Sequence, residues 1–343
     1  MKTKALWGVR CAAILGLTVA APVAAALYTP HDLGTLGASS GQSIAYDING
    51  TGVVVGESQT NGGSSPLHAT VWYNGKITDL GTLGGAVSVA YAVSNNGLIV
   101  GYSEIPNRDN QYHHAFLWNH GAMADLGTLG GITSVARGVN NAAQVVGEST
   151  YIGDSYDYHA FLWQNGSLTD LTPNAARASA LDINGVGQIV GYASPQLNPG
   201  RIHAMLWQNG QATDLHGSLP LTVKTYAAAI NEYGQIAGYV ENGSLQQAVT
   251  WINGTLTYLP AWSGGGSTIA YDINNAGQIV GSATTAGGSP HAVLWQNGRI
   301  IDLGTLGGRS SRAQAINGVG QIAGWSAFLA GTTGPLHATL WTK

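Results

Sequence analysis

The pair Asp-Leu occurs at Asp32, Asp79, Asp125, Asp170, Asp214 and Asp302, and Tyr258-Leu259 fills the remaining place in a series spaced 44 to 47 residues apart. A tryptophan recurs in one phase at Trp72, Trp118, Trp163, Trp207, Trp251, Trp295 and Trp341. A glycine closing strings such as GQIVG recurs at Gly56, Gly101, Gly147, Gly191, Gly238, Gly281 and Gly324. Three independent markers each give seven copies, so the chain must fold by using one small unit seven times.

The sixth copy, STIAYDINNAGQIVGSATTAGGSPHAVLWQNGRIIDLGTLGG, shows what that unit is. Four short apolar runs alternate with turn chemistry: TIAYDI, QIVGSA, HAVLW and RIIDL. Asn-Gly between two apolar runs is a strong hairpin signal. With 50 Gly and only 9% charged residues, the chain is poor in the residues that long helices need. Four strands in about 45 residues predict a propeller blade. The chain stops after the third run of the seventh copy, and Leu27–Gly37 is a fourth run without its first three. The expected fold is therefore all-β, a seven-bladed β-propeller of four-stranded blades, with the N-terminal strand completing the last blade and closing the ring. An open β-solenoid is the alternative.

Residues 1–26 stand outside this pattern. Lys2, Lys4 and Arg10 precede an apolar stretch from Cys11 to Ala21, and small residues up to Ala26 offer a cleavage site. A signal peptide over 1–26 and a single propeller domain over 27–343 follow, with a secreted or periplasmic mature chain. Cys11 is the only cysteine, so export leaves no thiol and no disulfide framework. Without those three cations, ten Lys and Arg face 17 Asp and Glu. Such a balance attracts neither nucleic acid nor an anionic membrane. No further apolar stretch approaches the roughly 18 residues of a membrane span, and a monomer is expected.

The strings HAFLWQNG, DINGVGQIVG and DLGTLGG together resemble the bacterial extracellular HAF repeat family, over about residues 27–343. The resemblance implies a secreted repeat protein and carries no catalytic residues with it. This chain departs from the pattern at Gln247, where histidine is usual, and replaces Phe by Thr, Met or Val in several copies.

Seven copies also separate scaffold from candidate site, because a residue needed at one place is not needed in every blade. His68, His114, His159, His203, His291 and His337 share a strand face with the repeated tryptophans. Equivalent positions in adjacent blades stand about 10 Å apart, too far to share a metal, so the histidines are read as bonding backbone or a neighbouring blade. The tryptophans are read as inter-blade core. The Asp-Leu aspartates should accept backbone N–H groups in the connection that follows, and Asp47, Asp182 and Asp272 should do similar work in turns. Gly37–Gly41, GASSG, matches a nucleophile elbow but lacks the helix that the elbow requires.

What the copies do not share lies between the second and third runs of copies two and three, YSEIPNRDNQYH and ESTYIGDSYDY. These bring Arg108, Asp109, Tyr112, Glu148, Tyr151, Asp154, Tyr156, Asp157 and Tyr158 to one side of one face, with Trp325 on the same rim. Tyrosine offers contact area and a hydroxyl at small entropic cost. The expected function is a non-catalytic binding or interaction module taking a glycan or protein ligand on that face. Asp154 and Asp157 are a calcium candidate, the only cofactor the sequence suggests, although GDSYDY is no complete loop signature. Two alternatives stay open: a polymer-degrading hydrolase or lyase using Glu57, Glu148, Asp154, Asp157 or His113, and a purely structural envelope or matrix protein.

Overall fold

The computed structural model describes residues 28–37, 41–61, 66–106, 112–151, 157–195, 197–328 and 334–343. Within them the chain is all-β, 28 strands and no helix. The strands form five four-stranded antiparallel sheets and one of eight. The eight-stranded sheet is two four-strand meanders joined by a single parallel pairing of Tyr158 with Arg177. The sheet of the last repeat takes its fourth strand from the other end of the chain: Thr29–Asp32 pairs antiparallel with Leu336–Thr342.

The hairpin between third and fourth strands forms because its two central residues accept positive φ. Asn74 (50°) and Gly75 (74°) do so in the first repeat, and His120 replaces asparagine in the second with φ 47°. A second local rule shapes every first strand. In each repeat the pairing of first and second strand slips by one residue, bulging at Tyr46, Tyr91, Arg137, Leu181, Ala228, Tyr271 and Gln314. The repeated glycine stands beside this bulge. A Cβ on Gly56 would lie 1.9 Å from the Ile44 carbonyl oxygen, and one on Gly101 1.8 Å from that of Val89. The glycine series exists so that a bulged first strand can press against the second.

The core is divided among the repeats. Seven hydrophobic clusters occur among the described residues, each drawn from two consecutive repeats or from the first and last. One joins Ala45, Ile48, Val54 and Trp72 to Ala315, Ala323 and Ala338. Trp251 and Trp341 are 1% and 0% exposed, and Trp118 and Trp163 are half-buried. Trp72, Trp251 and Trp295 donate their Nε1–H to the carbonyls of Gly34, Leu215 and Pro260, in the connection from the preceding repeat. No helix among the described residues is long and apolar enough to cross a membrane.

Candidate functional site

The first strands end at a cavity of about 310 Å³ lined by residues of every repeat, including Ile48, Val93, Val139, Ile183, Ile230, Ile273 and Ile316. We call this cavity the bore. Side-chain hydrogen bonds run around it. Asn49 Nδ2 donates to the Ser94 carbonyl, Asn140 to Asn184, Asn184 to Asn231, Asn231 to Asn274, Asn274 to Asn317, and Asn317 back to Asn49. In the second repeat, where serine replaces asparagine, Asn96 donates to the Asn141 carbonyl.

The bulge residues stand two positions before these isoleucines and valines, and all seven are half-buried. A bulge re-aims a side chain that strict alternation would place elsewhere. Here it produces an aromatic and charged lining that differs from repeat to repeat. Tyr46 donates its hydroxyl to Glu57 at 3.1 Å. Its ring meets Tyr91 edge-on at 5.0 Å, and Tyr91 lies 6.0 Å from Tyr102, which lies 4.9 Å from His113. The guanidinium of Arg137 sits 4.5 Å above Tyr91 and grips Glu148 at 2.6 Å through Nη2 and 3.1 Å through Nε. Ser179 also donates to Glu148. Farther round, Tyr192, Tyr226 and Tyr239 pack ring to ring.

Enclosure sets the charge states. Burial pushes the Glu57 carboxyl up, against the bond from Tyr46. Burial and then the Glu57 charge push Tyr46 far above the ordinary phenol value, and burial takes Tyr102 to about 12. Arg137, which burial alone would lower, is raised by Glu148. Burial lowers His113.

Asp47, Asp182 and Asp272 differ from the expected turn residues. Each uses one oxygen for the N–H of the next residue and the other for the first strand of the following repeat, at Val93, Ile230 and Ile316 respectively. They therefore staple first strands together. Burial raises Asp47 and Asp182 to about 6 and Asp272 to about 7, and Asp272 is raised further by the charges of Asp47 and Asp182.

The repeated histidines pair with carboxylates rather than with backbone. His68, His114, His159, His203 and His291 each bring Nδ1 to the Asp-Leu aspartate eleven residues on, at 2.6 to 3.0 Å, and His337 meets Asp32 at 2.8 Å. The other oxygen of each aspartate accepts the N–H two residues ahead, as at Gly34, Gly81 and Thr172. No described histidine joins an aspartate through Nδ1 to a serine through Nε2, so these pairs form no nucleophilic triad. Ser39 and Ser40 of GASSG lie outside the described residues.

Six of the ten residues expected to form a loop patch are among the described residues. Glu148 and Trp325 are on second strands, Val145–Tyr151 and Ile322–Phe328, and half-buried in the lining. The strand phase they occupy, shared with Glu57 and Tyr102, turns toward the bulge residues. Tyr112, Tyr151 and Tyr158 are exposed by 37%, 45% and 41%, with Tyr151 stacked 5.2 Å from His159. Asp157 is half-buried. Arg108, Asp109, Asp154 and Tyr156 lie outside the described residues, and so does the calcium pair through Asp154. Among the described residues no cluster of three His, Cys, Asp or Glu is arranged to hold a metal ion.

No protein-family model matches the chain, and no curated protein matches its sequence. Among solved structures it is similar to the acylaminoacyl peptidase of Pyrococcus horikoshii, with a TM-score of 0.57, 13% identity, and 91% of this chain covering 52% of that one. It is similar to the β-propeller domain of the Trilobed protease from Pyrococcus furiosus, described as having an open velcro topology, with a TM-score of 0.56 and 10% identity over 88% of this chain and 93% of that one. A puromycin-hydrolyzing peptidase of Mycobacterium tuberculosis follows with a TM-score of 0.51 and 12% identity, 78% of this chain covering 45% of that one. The chain spans about half the length of the two peptidases it matches. These likenesses establish a fold of β-propeller type. They also correct the expectation of a non-catalytic binding module, because the scaffolds that match are those of peptidases.

Proposed function

We propose that this chain is the propeller component of a peptidase-type hydrolase, whose bore admits a peptide to a hydrolytic site. The ring of bulge residues carries the reading. One backbone position, re-aimed in every repeat, holds Tyr46, Tyr91, Arg137, Leu181, Ala228, Tyr271 and Gln314, while the strands around it stay alike. A wall of tyrosine rings with one arginine–glutamate pair suits an extended peptide, offering flat apolar faces and hydroxyls for main-chain amides. The half-length match to peptidases supports the same reading, in which the nucleophile would lie outside this chain.

In this reading the strands make seven four-stranded blades, and Thr29–Asp32 closes the ring. The core cluster between first and last repeats and the return of the asparagine circuit to Asn49 support closure. Export after removal of residues 1–26 and membership of the HAF repeat family belong to the same proposal.

The test is depletion. Acyl-peptide p-nitroanilide hydrolysis should accompany the native protein through purification, and an antibody against the chain should remove both together. Hydrolysis unaffected by depletion, with no binding of short peptides to the purified chain, overturns the proposal.

A further inference from the structure

Two arginines stand over the bulge tyrosine of the preceding repeat, Arg137 from the bulge position itself and Arg312 from two residues before the bulge at Gln314, and they differ in what completes them. Arg137 lies 4.5 Å from the Tyr91 centroid and Arg312 lies 5.1 Å from that of Tyr271. Arg137 is closed by the carboxylate of Glu148. In the last repeat the second-strand phase of Glu148 is held by Trp325, which pairs in register with Arg312 and presents its ring 5.5 Å from the guanidinium. Arg312 thus has aromatic faces and no carboxylate. Its Nε is buried without a hydrogen-bond partner, and no described acid forms an ion pair with it. The two acids outside the described residues, Asp109 and Asp154, belong to repeats two and three.

An enclosed guanidinium without a counter-charge is unfavourable, and its planar fork matches a carboxylate better than any other anion-binding side chain does. The Tyr271 and Trp325 rings both face the guanidinium, so the aromatic side of the group is set in advance. Tyr271, Arg312 and Trp325 are each only half-buried, which leaves part of the group accessible.

We propose that Tyr271, Arg312 and Trp325 form a carboxylate-binding site that takes the C-terminal carboxylate of a peptide, in the place that Glu148 fills for Arg137. The carboxylate follows from the unpaired arginine. Its assignment to a peptide rests on the function proposed above.

Calorimetric titration of the full chain with N-acetyl-Ala-Ala, its C-terminal amide and galacturonate tests the site. The acid should saturate, with the amide about tenfold weaker or more, the loss expected when a charge-assisted hydrogen bond is removed. Galacturonate should bind more weakly than the peptide acid. Arg312→Gln should bind acid and amide alike. Trp325→Glu installs the internal carboxylate of the third repeat, and should raise the thermal midpoint while abolishing binding of the acid. That second variant keeps the test decisive if Arg312→Gln fails to fold. Equal binding of acid and amide, or acid binding unchanged in Trp325→Glu, overturns the site. A preference for galacturonate overturns its assignment to peptides. Either failure, read on the isolated chain, leaves the depletion experiment to judge the hydrolase reading separately.

Discussion

The third strands and the first strands of this protein obey opposite rules. On the third strands one solution is repeated: six histidines hold six aspartates with nearly the same geometry. On the first strands one backbone event, the bulge, is repeated, while the residue it presents is tyrosine, arginine, leucine, alanine or glutamine. Repetition of the side chain marks construction. Repetition of the backbone under a changing side chain marks a place where the fold has been fixed and the chemistry left free to vary.

Four measurements would break or sharpen that contrast. The largest effect belongs to the scaffold. Trp251→Ala removes a fully buried ring together with its bond to the Leu215 carbonyl, and should lower stability by about 3–5 kcal/mol in chemical denaturation. Next comes the stapling trio Asp47, Asp182 and Asp272. Their folded values lie above those of an unfolded aspartate, so the folded state holds extra protons between about pH 4 and 7. Their stabilisation is complete below the unfolded value and is lost as pH rises through about 6 to 7. His113 and His216, lowered by burial, act in the opposite sense as pH rises through the ordinary histidine value. The trio is therefore read as a difference. Between pH 5 and 8 the wild type should lose at least about 2 kcal/mol more than Asp272→Asn does, whatever the variant's absolute stability. An identical slope would show that Asp272 is not the titrating group.

Third, Glu148→Gln leaves Arg137 without its counter-charge. Because the pair is only partly enclosed, with side chains 12% and 32% exposed, we expect a loss of about 1–2 kcal/mol. The loss should shrink when Arg137 is also changed to Met, and a double-mutant cycle with no coupling would remove the pair from the lining. The smallest effect is expected where the repetition is greatest. His68→Ala breaks a pair whose aspartate is 40% exposed and should cost less than about 1 kcal/mol by thermal melt. A loss as large as that of Trp251→Ala would mean that the histidine pairs, not the inter-repeat cores, hold the sheets together.

Much of the scaffold could be read from sequence because it rests on local rules. Asn-Gly turns, alternating apolar runs and three markers in fixed phase carry the strands and their grouping. The Asp-Leu aspartate accepts the N–H ahead of it, as its short side chain before a connection suggests. Its second partner was less visible. With Thr70 opposite Asp79, His68 is the diagonal neighbour on the same face, a relation that only the strand register reveals. The lining was missed for a different reason. Variation among copies was sought in loops, whereas the informative variation sits inside a strand. Aligning Tyr46, Tyr91, Arg137, Leu181, Ala228, Tyr271 and Gln314 would have exposed one phase with no common residue. That signal was present, but alternation assigns such a residue to one of the two sheet faces, and only the bulge re-aims it toward its counterparts in neighbouring repeats. Glu148 reads as loop from sequence because a residue near a strand end does so when the strand is drawn too short.

The asparagine circuit has a mechanical meaning. Six of its links are side-chain bonds to the next repeat's main chain, and the last returns to Asn49. A linear stack of repeats unravels from whichever end is less stable. The closed ring proposed above would offer no such end, because freeing one repeat would mean parting from two neighbours at once. Amide exchange should therefore be nearly level from repeat to repeat at the first strands, instead of quickening toward either terminus. The second repeat, where Ser94 interrupts the asparagines, is where any quickening should begin.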